Sequence, residues 1–224
     1  MEEGSMKILE LHRSVTDSND RDAEELRREL KEKGVFFVNL MSAAGSGKTT
    51  LLSRTIEDLR DEYRIAVLEA DIEADVDARK IESLGARSIQ VHTDGMCHMD
   101  AGMTRQGLEE MGLEEVDLAF LENIGNLICP AEYATGASRN VMILSVPEGD
   151  DKPLKYPLMF QTSDILIITK TDTLPYFTFD IDRCIKRVRR LNPEIEIYPV
   201  SAKTGEGMDA WENWLRREIA AWKE

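Results

Sequence analysis

Small and basic residues between Phe36 and Leu52, in the sequence FFVNLMSAAGSGKTTLL, form a pattern that can bind phosphate. An apolar run predicts a buried strand, and a glycine-rich turn and a helix follow it, which is the order found in the phosphate-binding loop of nucleotide hydrolases. Glycines allow consecutive backbone N–H groups to curve around phosphate oxygens, and the helix N-terminus adds positive partial charge. The residues that we expect to hold the nucleotide are Gly45, Ser46, Gly47, Lys48, Thr49 and Thr50.

Two side chains of this loop have predicted chemical roles. Lys48 would place its positive charge on the β- and γ-phosphates during catalysis, and Thr49 would offer its hydroxyl to Mg²⁺. The loop departs from the usual pattern at Ser42, which stands where the first glycine is normally found. A Gly/Ser loop that only connects a strand to a helix is the alternative interpretation. The sequence GSGKTT directly after a buried-type strand disfavours that alternative.

Two later stretches indicate which base is bound. The segment DILIITKTD ends a predicted strand with Thr169, Lys170 and Asp172. It resembles the Asn-Lys-x-Asp motif of GTPases, with Thr in place of Asn. The Asp172 carboxylate would accept hydrogen bonds from N1–H and the 2-amino group of guanine, which adenine cannot offer, and the Lys170 stem would cover the ring. The segment YPVSAKTGEG resembles the fifth GTPase motif, and its predicted base-supporting residues are Ser201, Ala202 and Lys203. A lone TKTD could be a solvated turn, but the combination predicts GTP.

Hydrolysis requires charge neutralisation at the β–γ bridge and a water molecule aimed in line. The ENIG segment resembles the Asp-x-x-Gly motif, so Gly125 N–H could contact the γ-phosphate and Glu122 could hold Mg²⁺ through water. Asp71 and Asp75 follow the second predicted strand at the same carboxyl edge of the sheet. Either could bind Mg²⁺ or position water, and Asp75 could equally cap a helix. Asn126 stands where Ras-like proteins have Gln, and no arginine finger is visible, so we predict slow turnover.

Cysteine and histidine form a second group with possible chemistry. Cys97 and His98 are adjacent in a predicted loop, and Cys129 lies four residues after Gly125. Thiolate and imidazole together suit Ni²⁺ or Zn²⁺. Ligands from one chain would leave such a site open, and a two-fold dimer would supply the remainder. These cysteines could instead be packing residues, as free cysteines often are; Cys184, at helical spacing, is predicted to be one.

The elements that must position these residues alternate along the chain. Seven strand-like runs separated by helical patterns predict a three-layer α/β/α fold with a mostly parallel seven-stranded sheet. The runs cover residues 36–41, 64–70, 88–92, 116–123, 141–148, 164–170 and 195–200. An amphipathic helix is predicted over residues 18–33, before the first strand. Later helices are predicted to end near Glu62, Leu84 and Met111, with a last helix over 207–222. The proline-containing stretch 149–161 is predicted to be irregular and partly exposed.

The composition limits the class of protein. The chain has 224 residues, enough for one core, and we predict a single domain over residues 1–224. No apolar run approaches the ~18–20 residues of a membrane span, and the N-terminus does not resemble a signal peptide. The net charge of −15 argues against non-specific nucleic-acid binding. Three cysteines form no disulfide framework, so a reducing cytoplasm is expected. The residues Trp211, Trp214 and Trp222 are expected to be packing residues.

The series SAAGSGKTT, EADIEAD, CHMDAGM, ENIGNLICP, TKTD and SAKTG resembles the HypB family, the nickel-inserting GTPases of [NiFe]-hydrogenase maturation. That family is related to the urease accessory GTPase UreG, within the signal-recognition/Min-type (SIMIBI) class of phosphate-loop proteins. The pairing of CHMDA with ENIGNLICP is the specific part. The resemblance implies that Cys97, His98 and Cys129 bind nickel or zinc at a GTP-promoted homodimer interface. It also implies GTP/GDP and Mg²⁺ as cofactors, and the hydrogenase large-subunit precursor and other maturation proteins as partners.

The sequence also departs from this family and leaves alternatives open. Ala44 stands where the family loop usually has Pro, and neither a Cys-rich N-terminal nickel site nor a His-rich tract is seen. With three histidines, we expect nickel transfer and not storage. One alternative is a GTPase of the same class that serves urease or cobalamin-linked metal insertion. Another is a regulatory GTPase whose Cys/His loop is structural. A small-molecule kinase is disfavoured because TKTD and SAKTG specify guanine.

Overall fold

The computed structural model describes residues 12–70, 81–93 and 95–224, and a seven-stranded sheet lies at its centre. The strands are β1 (Phe36–Ser42), β2 (Ile65–Ala70), β3 (Arg87–Val91), β4 (Leu118–Gly125), β5 (Arg139–Ser145), β6 (Ile165–Thr169) and β7 (Glu196–Pro199). They are ordered β3-β2-β4-β1-β5-β6-β7, and each neighbouring pair is parallel. The parallel α/β prediction is therefore confirmed.

Helices of very different length connect these strands. They are α1 (His12–Glu32), α2 (Lys48–Leu59), α3 (Ala101–Met111), α4 (Cys129–Glu132), α5 (Lys152–Lys155), α6 (Pro157–Gln161), α7 (Ile181–Leu191) and α8 (Met208–Lys223). Short 3₁₀ segments cover Val146–Glu148 and Thr171–Tyr176. Helix α1 begins before its predicted start because neither Gly nor Pro interrupts the sequence there. Among the described residues, every helix is too short or too polar to cross a lipid bilayer.

The core lies on both faces of the sheet. Phe36 and Val38 of β1 share an apolar cluster with residues of α2 and α8. Phe37 instead lies in a cluster with residues of α1 and α3. Because successive side chains of a strand point to opposite faces, this division places one helical layer on each side. It also explains why every residue of β1 is buried.

The tryptophans of α8 pack in the first of these layers. Trp211 and Trp214 are buried, and their rings stack with centroids 5.3 Å apart. The Trp211 indole Nε1 donates a hydrogen bond to Thr55 Oγ1 of α2 at 3.0 Å. The ring of Trp222 lies edge-on to Phe36, with centroids 5.9 Å apart. These residues therefore have the packing role that the sequence predicts.

The stretch 149–161 is more regular than predicted. It forms α5 and α6, and Pro153 and Pro157 lie at the second and first positions of these helices, where a missing N–H loses no hydrogen bond. Met159 and Phe160 are fully buried in a third apolar cluster. The prediction of an irregular stretch is wrong because both prolines lie in the first turn of a helix, whereas the predicted partial exposure is confirmed by Leu154 and Leu158, which are exposed.

Candidate nucleotide and metal sites

The loop between β1 and α2 has the shape expected for holding phosphate. Gly45 and Gly47 have φ angles of 73° and 96°, in the left-handed region that favours glycine. The hydroxyl of Ser46 donates to the carbonyl of Ala43 at 2.8 Å and closes the turn. Helix α2 begins directly after Gly47, at Lys48. The N-terminus of a helix carries positive partial charge, which favours an anion at this point.

The predicted phosphate and magnesium groups meet in one cavity of about 550 Å³. Lys48 Nζ donates to Ser42 Oγ at 3.0 Å, and Thr49 Oγ1 donates to Glu122 Oε1 on β4 at 2.7 Å. Ser42, the departure from the usual loop pattern, therefore anchors the lysine side chain. Glu69 of β2 also lines the cavity and is buried, although the sequence analysis did not single it out. The position of Glu69, an acidic residue within an otherwise apolar strand, is the sequence signal that could have indicated its role.

Asp71 and Asp75 lie outside the described residues. Strand β2 ends at Ala70 and lines the same cavity. Their assignment to Mg²⁺ or to the attacking water stays a prediction.

Gly125, at the end of β4, lies against the backbone of the phosphate loop. A Cβ atom added at this position would be 2.9 Å from both Cα and N of Ala44. Real Cβ atoms do not approach backbone atoms so closely, so this contact requires glycine. Gly125 lines the nucleotide cavity and also a second cavity of about 410 Å³ beside Cys97. It is thus shared between the two candidate sites.

Gly125→Ala is expected to displace the phosphate loop, which should lower the free energy of unfolding by about 1–3 kcal/mol, the usual cost of overpacking, and should weaken GTP binding. Titration calorimetry with GTP and thermal unfolding would measure the two effects. Gly102→Ala in α3 is the matched control, because its added Cβ would meet only Asp100 Oδ1 at 3.4 Å. Unchanged GTP affinity in the Gly125 variant would show that the contact is irrelevant to the nucleotide.

The predicted guanine-reading segment is bonded to the phosphate loop. Lys170 adopts a left-handed conformation with φ of 60°, and its Nζ donates to the carbonyl of Gly45 at 2.8 Å. Thr169 Oγ1 donates to the carbonyl of Ser46 at 2.7 Å. Thr in place of the usual Asn therefore still ties β6 to the loop.

The second guanine motif orients the first. Ser201 Oγ donates to Asp172 Oδ1 at 2.8 Å and accepts a hydrogen bond from Thr204 N–H at 3.2 Å. Ser201 is fully buried, whereas Ala202 is half-buried and Lys203 is exposed. The structure thus brings Asp172 and the SAK segment together, as a shared base site requires.

The three candidate metal ligands converge on one point. Cys97 Sγ lies 2.7 Å from Cys129 Sγ and 3.9 Å from His98 Nδ1. The ligand atoms of all three residues are within 4.8 Å of one another. Asn126, between β4 and α4, donates from its side chain to the carbonyl of Cys97 at 3.3 Å. Two soft sulfur donors and one imidazole fit Ni²⁺ or Zn²⁺.

The surroundings affect the imidazole and the thiol ligands in opposite ways. Burial lowers the pKa of His98, which keeps the imidazole neutral and able to bind a cation. The ring of His98 stacks on Tyr133 with centroids 3.8 Å apart. The hydrogen bond to Cys129 raises the pKa of Cys97, so metal binding would have to displace a proton shared by the two sulfurs. Cys184 is fully buried, and burial raises its pKa to about 12, which confirms its prediction as a core residue.

Comparison with known proteins gives consistent matches. A sequence model described as "CobW/HypB/UreG, nucleotide-binding domain" matches residues 36–199. The chain is 44% identical to hydrogenase maturation factor HypB of Rhizobium leguminosarum bv. viciae, over 96% of this chain and 71% of that protein. HypB of Escherichia coli K12 is also 44% identical, over 96% of this chain and 74% of its own length.

Solved structures agree with these sequence matches. HypB from Archaeoglobus fulgidus is similar with a TM-score of 0.85 and 34% identity, over 91% of this chain and 99% of that one. HypB from Helicobacter pylori in complex with nickel is similar with a TM-score of 0.85 and 36% identity, over 91% of this chain and 96% of that one. The signal recognition particle receptor FtsY from Elizabethkingia anophelis, at 12% identity and a TM-score of 0.56, covers 94% of this chain and 74% of that one, and shares the fold alone.

Proposed function

Because this chain belongs to the HypB family of hydrogenase maturation factors, we propose that it is a GTP-hydrolysing nickel metallochaperone that helps to insert nickel into [NiFe]-hydrogenase. The observation that carries the proposal is the contact between the two candidate sites. Gly125 packs against the phosphate loop on one side and lines the cavity beside Cys97 on the other. Nucleotide binding and metal binding would therefore both affect the segment of chain around Gly125.

At the nucleotide site, the chain would hold the phosphates by charge and by backbone N–H groups. Lys48 and the N-terminus of α2 would contact the β- and γ-phosphates, and Gly125 N–H would contact the γ-phosphate. Thr49, paired with Glu122, would hold Mg²⁺ together with Asp71 or Asp75. Mg²⁺ bound there would neutralise negative charge on the phosphate oxygens. Slow hydrolysis to GDP and phosphate is the proposed reaction.

Asp172 is the residue expected to select guanine over adenine. Asp172→Ala should lower GTP affinity by at least about 100-fold, because two hydrogen bonds to a charged acceptor are each worth about 1.5–3 kcal/mol. Asp182→Ala, which removes an exposed carboxylate of α7, is the control. Calorimetric titration with GTP and ATP would measure the affinities. Equal binding of the two nucleotides by the unaltered chain would exclude the proposed base site.

At the metal site, Cys97, His98 and Cys129 would bind Ni²⁺, the cargo, or Zn²⁺ and leave a coordination position open. The large apolar residues Met96 and Ile128 flank the ligands and are 37% and 55% exposed. Exposed apolar side chains around an incomplete metal site favour association of two copies. We propose a GTP-promoted homodimer in which the two sites face each other.

Coupling would follow from the segment that joins the sites. If GTP fixes Gly125, hydrolysis would release the following residues, including Asn126 and Cys129. Asn126 also donates a hydrogen bond to the Cys97 carbonyl. The change would therefore reach both segments that carry the proposed metal ligands. Nickel would then be held in the GTP state and passed on after hydrolysis.

Nickel affinity measured with a non-hydrolysable GTP analogue and with GDP would test this coupling, with light scattering to follow mass in the same samples. We expect different affinities in the two states and a larger mass with the analogue. Equal nickel affinities would contradict the coupling. GTP binding without any metal binding would favour the alternative of a regulatory GTPase with a structural Cys/His loop.

The partners proposed for this activity are the hydrogenase large-subunit precursor and other maturation proteins, in the cytoplasm. Free cysteines at the metal site suit a reducing compartment. The relatives are named as hydrogenase maturation factors, and one, from Helicobacter hepaticus, is named as a hydrogenase/urease factor. Urease-type nickel insertion is therefore the second candidate function.

A further inference from the structure

Asn19 of α1 lies between the two segments that carry the candidate metal ligands. Its side-chain oxygen accepts a hydrogen bond from Ala101 N–H at 2.9 Å. Its side-chain nitrogen donates to the carbonyl of Ala134, also at 2.9 Å. Ala101 begins α3 shortly after His98, and Ala134 follows the short helix that begins at Cys129. A single amide group on a third element thus joins both segments.

The two backbone groups that Asn19 contacts both need a partner. Ala101 N–H is in the first turn of α3, where no intrahelical acceptor exists. The carbonyl of Ala134 lies beyond the end of α4, where no helical N–H reaches it. Asparagine can accept and donate at the same time from one short, uncharged side chain. Neither an apolar residue nor a carboxylate can make both bonds.

We propose that Asn19 is a positioning residue of the metal site, which holds the Cys97–His98 loop and the Cys129 segment at the separation where their ligand atoms converge. This inference rests on the proposed function of that site. The stacking of His98 on Tyr133, next to Ala134, joins the same two segments. Asn19 connects both segments to α1, and Leu26 and Leu30 of this helix pack in the core. Loss of such a supporting contact typically weakens metal binding by about 10–100-fold.

The variant Asn19→Leu tests the inference, since it removes both hydrogen bonds, keeps the branched shape of the side chain and adds no charge. Arg27→Met is the matched control: Arg27 Nε, also on α1, donates to the carbonyl of Ala137 at 2.8 Å, close to β5 and further from the ligands. Competition between the chain and a chromophoric chelator would measure Ni²⁺ affinity. We expect about 10–100-fold weaker binding in Asn19→Leu, little change in Arg27→Met, and the same GTP affinity in both.

A second readout needs no metal. Diamide oxidises two neighbouring thiols to a disulfide and is itself reduced to a hydrazine, so the rate of Cys97–Cys129 bond formation in metal-free chain reports how closely the sulfurs are held. We expect slower formation in Asn19→Leu than in Arg27→Met, with bonded peptides identified by mass. Equal rates in the two variants would overturn the inference, whatever the nickel affinity. If the unaltered chain binds no nickel, the proposed function fails, and this assay still decides the role of Asn19.

Discussion

Cys129→Ala is expected to lower nickel affinity by at least about 100-fold, more than the loss of a supporting contact would cause, while GTP affinity stays the same. The reason is that Cys129 contributes one of three converging candidate ligand atoms and lies 2.7 Å from the other sulfur. Removing it leaves a thiol and an imidazole, which cannot enclose the ion. Competition with a chromophoric chelator and titration with GTP would measure the two affinities.

Cys184→Ala is the matched control for this experiment, because Cys184 is a cysteine of the same chain that lies buried in another cluster. It should lose stability through a small cavity and keep its nickel affinity. If Cys129→Ala retained nickel affinity while losing stability, the cysteines near α4 would be packing residues. Nickel would then be held by other groups of the chain, and the proposed cargo site would be wrong.

Lys48→Ala is expected to lower the rate of GTP hydrolysis by about 10²–10³-fold, the usual effect of removing one donor that stabilises transition-state charge. Lys48 opens α2 inside the nucleotide cavity, and Ser42 orients its ammonium group. Single-turnover phosphate release would measure the rate. Lys186→Ala, which changes an exposed residue of α7, is the control.

The nickel affinity of Lys48→Ala carries further information. Without nucleotide, this nickel affinity should equal that of the unaltered chain, because the candidate metal ligands are elsewhere. With the GTP analogue, the nickel affinity of this variant should stay the same as without nucleotide, since the phosphates of the analogue are poorly held. A variant that still hydrolyses GTP at the original rate would refute the role assigned to this lysine.

The sheet could be predicted from the sequence because local patterns determine it. Strands such as β1 and β6 are mostly apolar, and a parallel sheet buries such strands on both faces. The ends of helices were less predictable. Helix α2 ends at Leu59 and not near Glu62, because the N–H groups of Glu62 and Tyr63 both bond to the Leu59 carbonyl in a turn. Such endings depend on local hydrogen bonds, which hydrophobic periodicity does not report.

Some residues of the candidate sites could likewise be predicted from the sequence, and others could not. Lys48, Thr49 and the Cys97–His98 pair could be found because each lies in a recognisable short motif. In the sequence, Ser42 is only a departure from the usual loop pattern. In the structure, its hydroxyl accepts a hydrogen bond from Lys48 Nζ. Asn19 could not be found, since its contacts are to backbone groups far along the chain. Side chains that support a site through backbone atoms leave no pattern of spacing in the sequence.

The confinement of the tryptophans to α8 makes the chain a selective optical reporter. The three indole rings absorb and emit from one helix, and Trp211 is bonded to α2, the helix that begins at the nucleotide cavity. Their emission would follow the packing of that layer and changes passed along α2. The helices α1 and α3, which flank the candidate metal ligands, pack on the other face of the sheet and contain no tryptophan. Lys31 near the end of α1 lies over the Trp222 ring, with its Nζ 5.2 Å from the ring centroid, so Trp222 also touches that layer. Fluorescence would therefore follow mainly the layer of α2 and α8, whereas metal titrations would follow the groups beside α1 and α3.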